Sequence, residues 1–398
     1  MVEKRAAAQE QAFPRKRECI AYLSSYPPRE CGIATFTKDL LGAIDELSVC
    51  KQVVIAVNEK GAIYQYEKRV KFVIERDSIE DYTNAASYIN ASNVDLVSLQ
   101  HEFGLFGGNY GENICYFLEK VKKPVVTTLH TVEPNFESKA QEVLRNIVAK
   151  SESVVVIPRI ATGLLREQGL PIKKCFVIPH GCPDIPFVKS DKIKSSIGLR
   201  DRFVISTFGL LSRSKGIEYA IRALPSVVEN EPKAIYLVIG ETHPEVRKHE
   251  GEKYRKKLMK LVDELGLGNY VRFHNRFLSK RELINHLQAT DIYVTPYISP
   301  NQISSGTLTF ALGAGRAVVS TPYLHAQEAL AGGRGLFCKF NNSRTVADCI
   351  NKLLNENLRE KIQAKAYKYS RRFVWSNVAN QYVKLFKKSI SRHRRAHL

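Results

Sequence analysis

Residues 203–220, FVISTFGLLSRSKGIEYA, decide the fold class that the sequence predicts. The stretch opens with an apolar and β-branched run, which is typical of a strand buried on both faces of a sheet. A glycine turn follows at Gly209, and a helical pattern begins near Lys215. A buried strand that turns directly into a helix is the repeating unit of a parallel sheet covered by helices.

The same unit recurs along almost the whole chain. Strands are predicted at 19–26, 52–57, 94–100, 124–130, 153–158 and 175–180, and then at 203–209, 234–240, 270–275, 291–297 and 317–323. Two such blocks predict an α/β protein with two doubly wound, Rossmann-like domains. Ligands of these folds bind beyond the carboxyl ends of the strands, so functional side chains are expected in the turns that follow the strands.

Composition sets the predicted domain boundaries. Residues 1–18 are polar and charged, without the apolar segment of a signal peptide, and are predicted to form a disordered arm. The first domain is predicted to span residues 19–188. A polar stretch then opens the second domain, which is predicted to span residues 189–374. The remaining residues, 375–398, are predicted to form a basic C-terminal helix.

The net charge of +20 is concentrated towards this C-terminal helix. After Glu360 the chain has no Asp or Glu, whereas eleven Lys and Arg occur between Lys361 and Arg395. One face of the helix would carry an apolar stripe of Trp375, Val378, Tyr382, Phe386 and Ile390. The charge is not accompanied by a helix-turn-helix, zinc-finger or RNA-binding signature, so nucleic acid is not a predicted partner. Peripheral contact with an anionic membrane is expected instead.

The cysteines and the hydropathy indicate the compartment. The eight cysteines are scattered and contain no C-x-x-C pair, which predicts reduced thiols and no metal site. The sequence has no run of about 18 apolar residues, so no membrane-spanning helix is predicted. The expected location is cytoplasmic, with peripheral contact at the inner face of the membrane.

Two turns of the first domain carry candidate site residues. In YPPRECGIATF (26–36), Gly32 lets the backbone approach a ligand at the start of a helix, although any tight turn uses glycine. In LQHEFGLFGGNYG (99–111), His101 and Glu102 follow a strand, and His130 ends the next one. Both histidines are expected to face the crevice, with a structural hydrogen-bonding role as the alternative. His180 is expected to be structural.

The second domain offers an anion site. Gly209 follows a strand, and Lys215 stands at a helix start, where a cation is unfavourable unless an anion is bound. Arg213 would assist, or would be a solvated surface residue. In NQISSGTLTFALGAG (301–315), a small-residue turn opens an apolar helix and predicts a phosphate-binding helix N-terminus. The candidate ligands of this turn are Ser304, Ser305, Gly306 and Thr307.

The ordered motifs resemble those of glycosyltransferase family 4. The motifs are YPPRECGIATF, TTLHT, FGLLSRSKGIE, VIG, ATDIYVTPY and ALGAGRAVVST, and they cover roughly residues 19–375. The resemblance implies a GT-B fold, with an acceptor-binding first domain, a donor-binding second domain and a C-terminal helix that crosses back to the first. It also implies metal-independent, configuration-retaining transfer from a nucleotide sugar. By motif, Gly32 would face the donor phosphates and sugar, His130 the transferred sugar, and Lys215 the diphosphate.

Two motifs depart from the family pattern, at three positions. Leu210 stands where the family usually has an arginine after glycine. Gln302 and Phe310 stand where the family has two glutamates, one for the sugar and one for the ribose. Gln302 can still hydrogen-bond a sugar hydroxyl, whereas the side chain of Phe310 cannot bind a ribose diol.

These observations leave several functions open. The first is a hexosyltransferase (mannose or glucose type) of polysaccharide biosynthesis that uses a nucleotide sugar as co-substrate, with a saccharide or lipid-linked acceptor and no metal or other cofactor. The second is a GT-B sugar phosphorylase that uses orthophosphate, because SSGT resembles the phosphate turn of glycogen-type phosphorylases. The third is a non-catalytic sugar- or nucleotide-binding protein. A GT-B epimerase is a minor alternative.

Overall fold

The computed structural model describes residues 17–397. Its strands are β1 (Glu18–Ser24), β2 (Cys50–Asn58), β3 (Val70–Glu75), β4 (Leu96–His101), β5 (Val125–Leu129), β6 (Ser153–Val156), β7 (Cys175–Val177), β8 (Phe203–Phe208), β9 (Ala234–Ile239), β10 (Val271–His274), β11 (Ile292–Thr295), β12 (Ala317–Ser320) and β13 (Leu336–Phe337). Its helices are α1 (Gly32–Leu47), α2 (Ile79–Ala91), α3 (Ile114–Lys120), α4 (Ser138–Lys150), α5 (Ile160–Glu167), α6 (Asp191–Lys194), α7 (Ile217–Asn230), α8 (Pro244–Glu250), α9 (Lys253–Glu264), α10 (Lys280–Ala289), α11 (Gly306–Gly313), α12 (Leu324–Leu330), α13 (Ser343–Leu353), α14 (Glu356–Ser370) and α15 (Trp375–Ala396).

Two parallel sheets form the framework. The first has the order β3-β2-β1-β4-β5-β6-β7, and the second has the order β10-β9-β8-β11-β12-β13. In the first sheet, β1 pairs in parallel with β4 from Ile20 opposite Leu96 to Leu23 opposite Leu99. The strand order reverses at β1 and β4, and again at β8 and β11, and each reversal leaves a crevice at the carboxyl edge of the sheet. The predicted class, two doubly wound Rossmann-like domains, is confirmed.

Local sequence explains where the elements begin. Strand β9, AIYLVI, is buried along its whole length, as expected for a central strand covered on both faces. Helix α10 begins with a capping box: the side chain of Ser279 accepts from the backbone of Glu282, whose carboxylate accepts from the backbone of Ser279. Helix α7 follows Gly216, whose left-handed φ of 60° suits glycine.

Two strands and one boundary differ from the sequence predictions. Strand β3 was not predicted, because this edge strand buries only Ile74 and lacks a continuous apolar run. Strand β13 was missed because it has two residues. The predicted arm of residues 1–18 lies almost entirely outside the described residues. Its last residue, Glu18, is in fact the first residue of β1.

Helix α15 packs on the first domain, although it follows the second domain in the chain. The stripe residues Trp375, Val378, Tyr382, Phe386 and Ile390 are all buried in the core of the first domain. The hydroxyl of Tyr382 lies 3.0 Å from that of Thr128 on β5. Among residues 17–397, no helix combines the length and the apolar character needed to cross a membrane.

Candidate functional site

A cavity of about 370 Å³ lies between the two domains, beyond the carboxyl ends of β1, β5, β8 and β9. From the first domain, the predicted site residues Gly32, Glu102 and His130 line it. From the second domain, Gly209, Lys215, Gln302, Gly306 and Thr307 line it. Most of the residues predicted from the turns are therefore brought together in one cleft.

Helix α11 points its N-terminus at this cavity. The side chain of Ser305 accepts from the backbone N–H of Leu308 at 3.2 Å and thereby caps the helix. Ser305 itself is buried and does not line the cavity, so its predicted ligand role is replaced by this capping role. The next N–H groups, at Gly306 and Thr307, have no acceptor within the helix and face the cavity.

Glycine is required at the start of α11 for a steric reason. A Cβ atom on Gly306 would lie 2.7 Å from Nε2 of His180. His180 lines the cavity, a position that its assignment as a purely structural residue did not anticipate. Its place after the edge strand β7 gave no sequence signal, since a lone histidine at an edge is usually a structural residue.

Lys215 supplies the positive charge of the second-domain wall. It ends a short 3₁₀ turn just before α7, and its Nζ lies 4.1 Å from the centre of the Tyr297 ring. Within the described residues, Lys215 forms no salt bridge with a carboxylate, whereas Arg213 pairs with Glu250 at 3.2 Å. Arg213 is 54% exposed and lies off the cavity, so its predicted ligand role is wrong and the solvated alternative holds.

His130 is held in one tautomer by its neighbours. Its Nε2 lies 3.0 Å from the amide oxygen of Gln100, which can only accept, so Nε2 carries the proton. The amide nitrogen of Gln100 in turn donates to Ser98 at 3.1 Å, which fixes the orientation of the amide. Burial, with the nearby rings of His180 and His101, lowers the pKa of His130 to about 3. The ring is therefore neutral, with Nδ1 left as an acceptor.

His101 does not line the cavity, so that prediction is wrong. Adjacent residues of a strand point to opposite faces, and on β4 Gln100 turns towards His130 while His101 turns away. His101 is fully buried, with its ring 5.0 Å from Phe103 and stacked 6.0 Å from Phe106. Neither ring nitrogen has a hydrogen-bond partner in the described residues, and burial lowers the pKa of His101 to about 3.

Glu102 of the first domain and Gln302 of the second both bring polar side chains to the cavity lining. The carboxylate of Glu102 accepts from the hydroxyl of Thr131 at 2.6 Å and from the backbone of Phe103 at 3.0 Å. Burial raises its pKa. The amide nitrogen of Gln302 donates to the carbonyl of Ser304 at 2.7 Å, which leaves its oxygen as an acceptor.

Two of the three positions that depart from the family pattern place apolar side chains in the cavity wall. Leu210 and Phe310 both line the cavity. Phe310 is 7% exposed, and its ring lies 6.3 Å from that of Phe208 and 6.1 Å from that of His180. Residues 17–397 contain no group of three or more His, Cys, Asp or Glu side chains placed to hold a metal ion. Metal independence stays a prediction.

Comparison with known sequences agrees with the family resemblance of the sequence motifs. Residues 189–371 match the sequence model of the family described as glycosyl transferases group 1. The chain is 26% identical over 254 residues to an uncharacterized glycosyltransferase of Methanocaldococcus jannaschii, covering 62% of this chain and 60% of the relative. It is 30% identical over 189 residues to D-inositol 3-phosphate glycosyltransferase of Corynebacterium urealyticum, covering 46% of this chain and 42% of the relative. The matches thus span about half the length of these curated relatives.

Solved structures agree on the fold. HepE of Anabaena in complex with UDP and glucose superposes with a TM-score of 0.74 at 16% identity, covering 93% of this chain and all of that one (100%). Sucrose-phosphate synthase of Thermosynechococcus elongatus superposes with a TM-score of 0.75 at 15% identity, covering 94% of this chain and 100% of that one. The second domain is therefore a group 1 glycosyltransferase domain, and the two domains together have the GT-B fold.

Proposed function

We propose that the protein transfers a hexosyl group from a nucleotide sugar to a saccharide or lipid-linked acceptor, with retention of configuration. The observation that carries this proposal is the convergence of Lys215, which forms no salt bridge in the described chain, with the N-terminus of α11 in the interdomain cavity. A cation and free backbone N–H groups on one wall suit a diphosphate. The HepE structure with UDP-glucose supports this choice of donor, and UDP-glucose is the first donor to test.

The residues of the cleft would have different roles in the transfer reaction. Lys215 and the N–H groups of Gly306 and Thr307 stabilise the negative charge that develops on the departing phosphate. The bond between the anomeric carbon and the phosphate oxygen breaks, and the acceptor oxygen bonds to the same face of that carbon. The acceptor proton passes to the departing phosphate oxygen. No metal is needed in this scheme, because the lysine and the helix N-terminus supply the positive potential.

The first-domain wall would hold the sugar and the acceptor. Nδ1 of His130 accepts from a hydroxyl of the transferred sugar, since Nε2 is occupied by Gln100. The backbone at Gly32 allows the sugar to approach closely, and Glu102 accepts from the acceptor hydroxyls. A cytoplasmic location, and contact of the exposed Lys384, Lys387 and Lys388 of α15 with an anionic membrane, belong to the same proposal.

Replacement of Lys215 tests the proposal most directly. Lys215→Ala should lower turnover with the active nucleotide sugar by roughly 10²–10³-fold, the usual loss for one electrostatic stabiliser of the transition state. Arg213→Ala is the matched control, because Arg213 lies two residues away in an exposed ion pair and should leave turnover unchanged. Steady-state kinetics on a panel of nucleotide sugars measures both variants. Equal turnover in all three proteins would refute the role of Lys215.

A sugar phosphorylase remains a second candidate because of one observation. Phe310 removes the ribose-binding acid from the cavity wall, while the anion site at Lys215 and α11 is kept. Orthophosphate would then occupy the anion site and cleave a glycoside. Phosphate-dependent release of a sugar phosphate, without nucleotide binding by calorimetry, would favour this reading over the transferase. Turnover of either kind excludes a purely binding role.

A further inference from the structure

A second cavity, of about 260 Å³, lies at the domain interface behind α11. Gly306, Thr307 and Phe310 face the first cavity, whereas Thr309 and Leu312 face the second. At 100° per residue these two sets lie on different faces of the helix. The second cavity therefore differs from the donor cleft, although α11 and His180 line both.

Two arginines from different domains line the second cavity. Arg159, at the start of α5, belongs to the first domain, and Arg372, after α14, belongs to the second. Neither guanidinium forms a salt bridge with a carboxylate in the described part of the chain. Arg372 lies 4.1 Å from the centre of the Tyr369 ring and 4.8 Å from that of Phe373, which hold its position without neutralising its charge.

One carboxylate, that of Glu328, also lines the cavity and is already engaged. Its two oxygens accept from the backbone N–H groups of Arg159 at 3.2 Å and Ile160 at 3.1 Å. Glu328 thereby caps the N-terminus of α5 from the opposite domain. Its charge is directed at the helix and not at the two guanidinium groups.

A buried histidine adds a hydrogen-bond donor. His325 accepts the backbone N–H of Ser305 at Nδ1, with a distance of 2.9 Å. Burial, with the nearby His180, lowers the pKa of His325 to about 3, so the ring is neutral and its proton lies on Nε2. Nε2 has no hydrogen-bond acceptor among residues 17–397, and His325 lines the cavity. The site therefore combines two guanidinium groups with one imidazole N–H.

We propose that this second cavity binds a small phosphate-bearing anion, held between Arg159 and Arg372 with His325 as a further donor. Guanidinium groups bind phosphate through paired N–H donors, and two of them without carboxylate partners are the chemistry that recognises such a ligand. The volume lies below the roughly 300 Å³ at which pockets for drug-sized ligands begin, so the anion is small. It would bridge the two domains at a site separate from Lys215.

Calorimetric titration of the full chain with inorganic phosphate tests the site, and Lys215→Ala weakens the donor cleft as a competing site. Phosphate binding should persist in the Lys215→Ala protein and should weaken by about tenfold or more when Arg159→Gln or Arg372→Gln is added. Arg159→Gln is the safer variant, because that side chain is exposed and makes no hydrogen bond or salt bridge in the described chain. Adding Arg213→Gln, at an exposed ion pair elsewhere, should change nothing.

A second titration identifies the source of the phosphate. If a hexose 6-phosphate binds more tightly than inorganic phosphate, and the gain is lost with Arg159→Gln, the ligand is a phosphorylated sugar. If the hexose 6-phosphate and inorganic phosphate bind with equal affinity, the ligand of the second cavity is orthophosphate. The proposal is overturned if the Lys215→Ala protein binds neither probe, or if both arginine variants bind as tightly as their parent. These outcomes do not depend on whether the protein transfers sugar.

Discussion

Three buried histidine rings are neutral at physiological pH. Burial is the main cause that lowers the pKa of His101, His130 and His325 to about 3 in each case. In two of the rings the neutral form leaves one nitrogen as an acceptor. Nδ1 of His130 is free to accept in the cleft, and Nδ1 of His325 accepts from the backbone N–H of Ser305, the N-cap of α11. His101 makes no hydrogen bond in the described chain and lines neither cavity, so its two unpaired ring nitrogens carry a cost in stability.

Replacement of Gln100 should place a new ionisation in the pH profile. Gln100→Glu puts a carboxylate beside Nε2 of His130, which favours the imidazolium and raises the pKa of the ring. Activity should then fall as the pH drops through that raised pKa, because Nδ1 becomes a donor. The wild type should show no such fall near neutrality, since the pKa of His130 is about 3.

The pH dependence of kcat/KM measures this effect, and Gln100→Leu is its control. Leucine removes the acceptor without adding charge, so activity should drop at all pH values without a new ionisation. A merely structural role for Gln100 predicts the same profile for both variants.

Replacement of His101 should stabilise the protein against acid. The folded pKa of about 3 lies below the unfolded value near 6.5, so the unfolded chain binds more protons between these two values. Stability is therefore lost as the pH falls through that window, and His101→Leu should reduce this loss. At neutral pH the variant should gain about 1 kcal/mol, because two unpaired polar atoms leave the core. Urea unfolding at pH 7 and pH 5 compares the two proteins, and a larger acid loss in the variant would contradict the assignment.

At the scale of single elements, the place of a strand in its sheet decides whether the sequence predicts that strand. Central strands such as β9 are buried throughout and were predicted, whereas the edge strand β3 buries one residue and was missed. The turn residues Lys215 and Gly306 reached the predicted cleft because the carboxyl ends of parallel strands meet at one edge.

The failures have equally local causes. His101 was assigned to the wrong face of the sheet. Side chains along a strand alternate between the two faces, and the sequence does not show whether His101 or its neighbour Gln100 faces the crevice. Arg213 found its partner Glu250 on α8, a long-range contact that no local pattern reports. His325 and the cavity behind α11 depend on how the two domains meet, so no motif predicted them.

Helix α11 tolerates a side chain at its first residue only if His180 moves. Gly306→Ala places a Cβ 2.7 Å from the half-buried ring of His180, so α11 or the ring must shift. Nucleoside diphosphate binding should weaken, and His180→Ala in the same protein should restore part of it. Calorimetry measures nucleoside diphosphate binding by Gly306→Ala and by the double variant with His180→Ala. The control is Gly42→Ala in α1, where a Cβ meets nothing within 4 Å and should stabilise by about 0.5–1 kcal/mol. Normal binding by Gly306→Ala would show that the close contact is unimportant.

At the scale of the whole molecule, a pair of carboxyl groups joins the two domains near the cleft. The carboxyl group of Glu30 in the first domain lies close to that of Glu241 in the second. The proximity of the Glu241 carboxyl group, together with burial, raises the pKa of Glu30 to about 7. Glu241 also pairs with Arg247 at 3.3 Å, which limits the rise by favouring negative charge nearby. The contact between the two domains is therefore favoured when Glu30 carries a proton.

Because the contact between the two domains depends on the protonation of Glu30, we expect the domains to separate as the pH rises. The closed form binds a proton that the separated carboxyl groups release above their ordinary pKa near 4.3, so the contact is favoured at low pH and lost as the pH passes about 7. Small-angle scattering from pH 5.5 to pH 8.5, at constant ionic strength, should show a radius of gyration that increases above about pH 7. Glu30→Gln keeps a donor for Glu241 without titrating, and its radius should stay constant over the range. A pH-independent radius in the wild type, or an equal increase in the variant, would show that other contacts hold the domains together. The ion pair between Asp39 and Lys280, at 2.7 Å across the same interface, is the first candidate for that role.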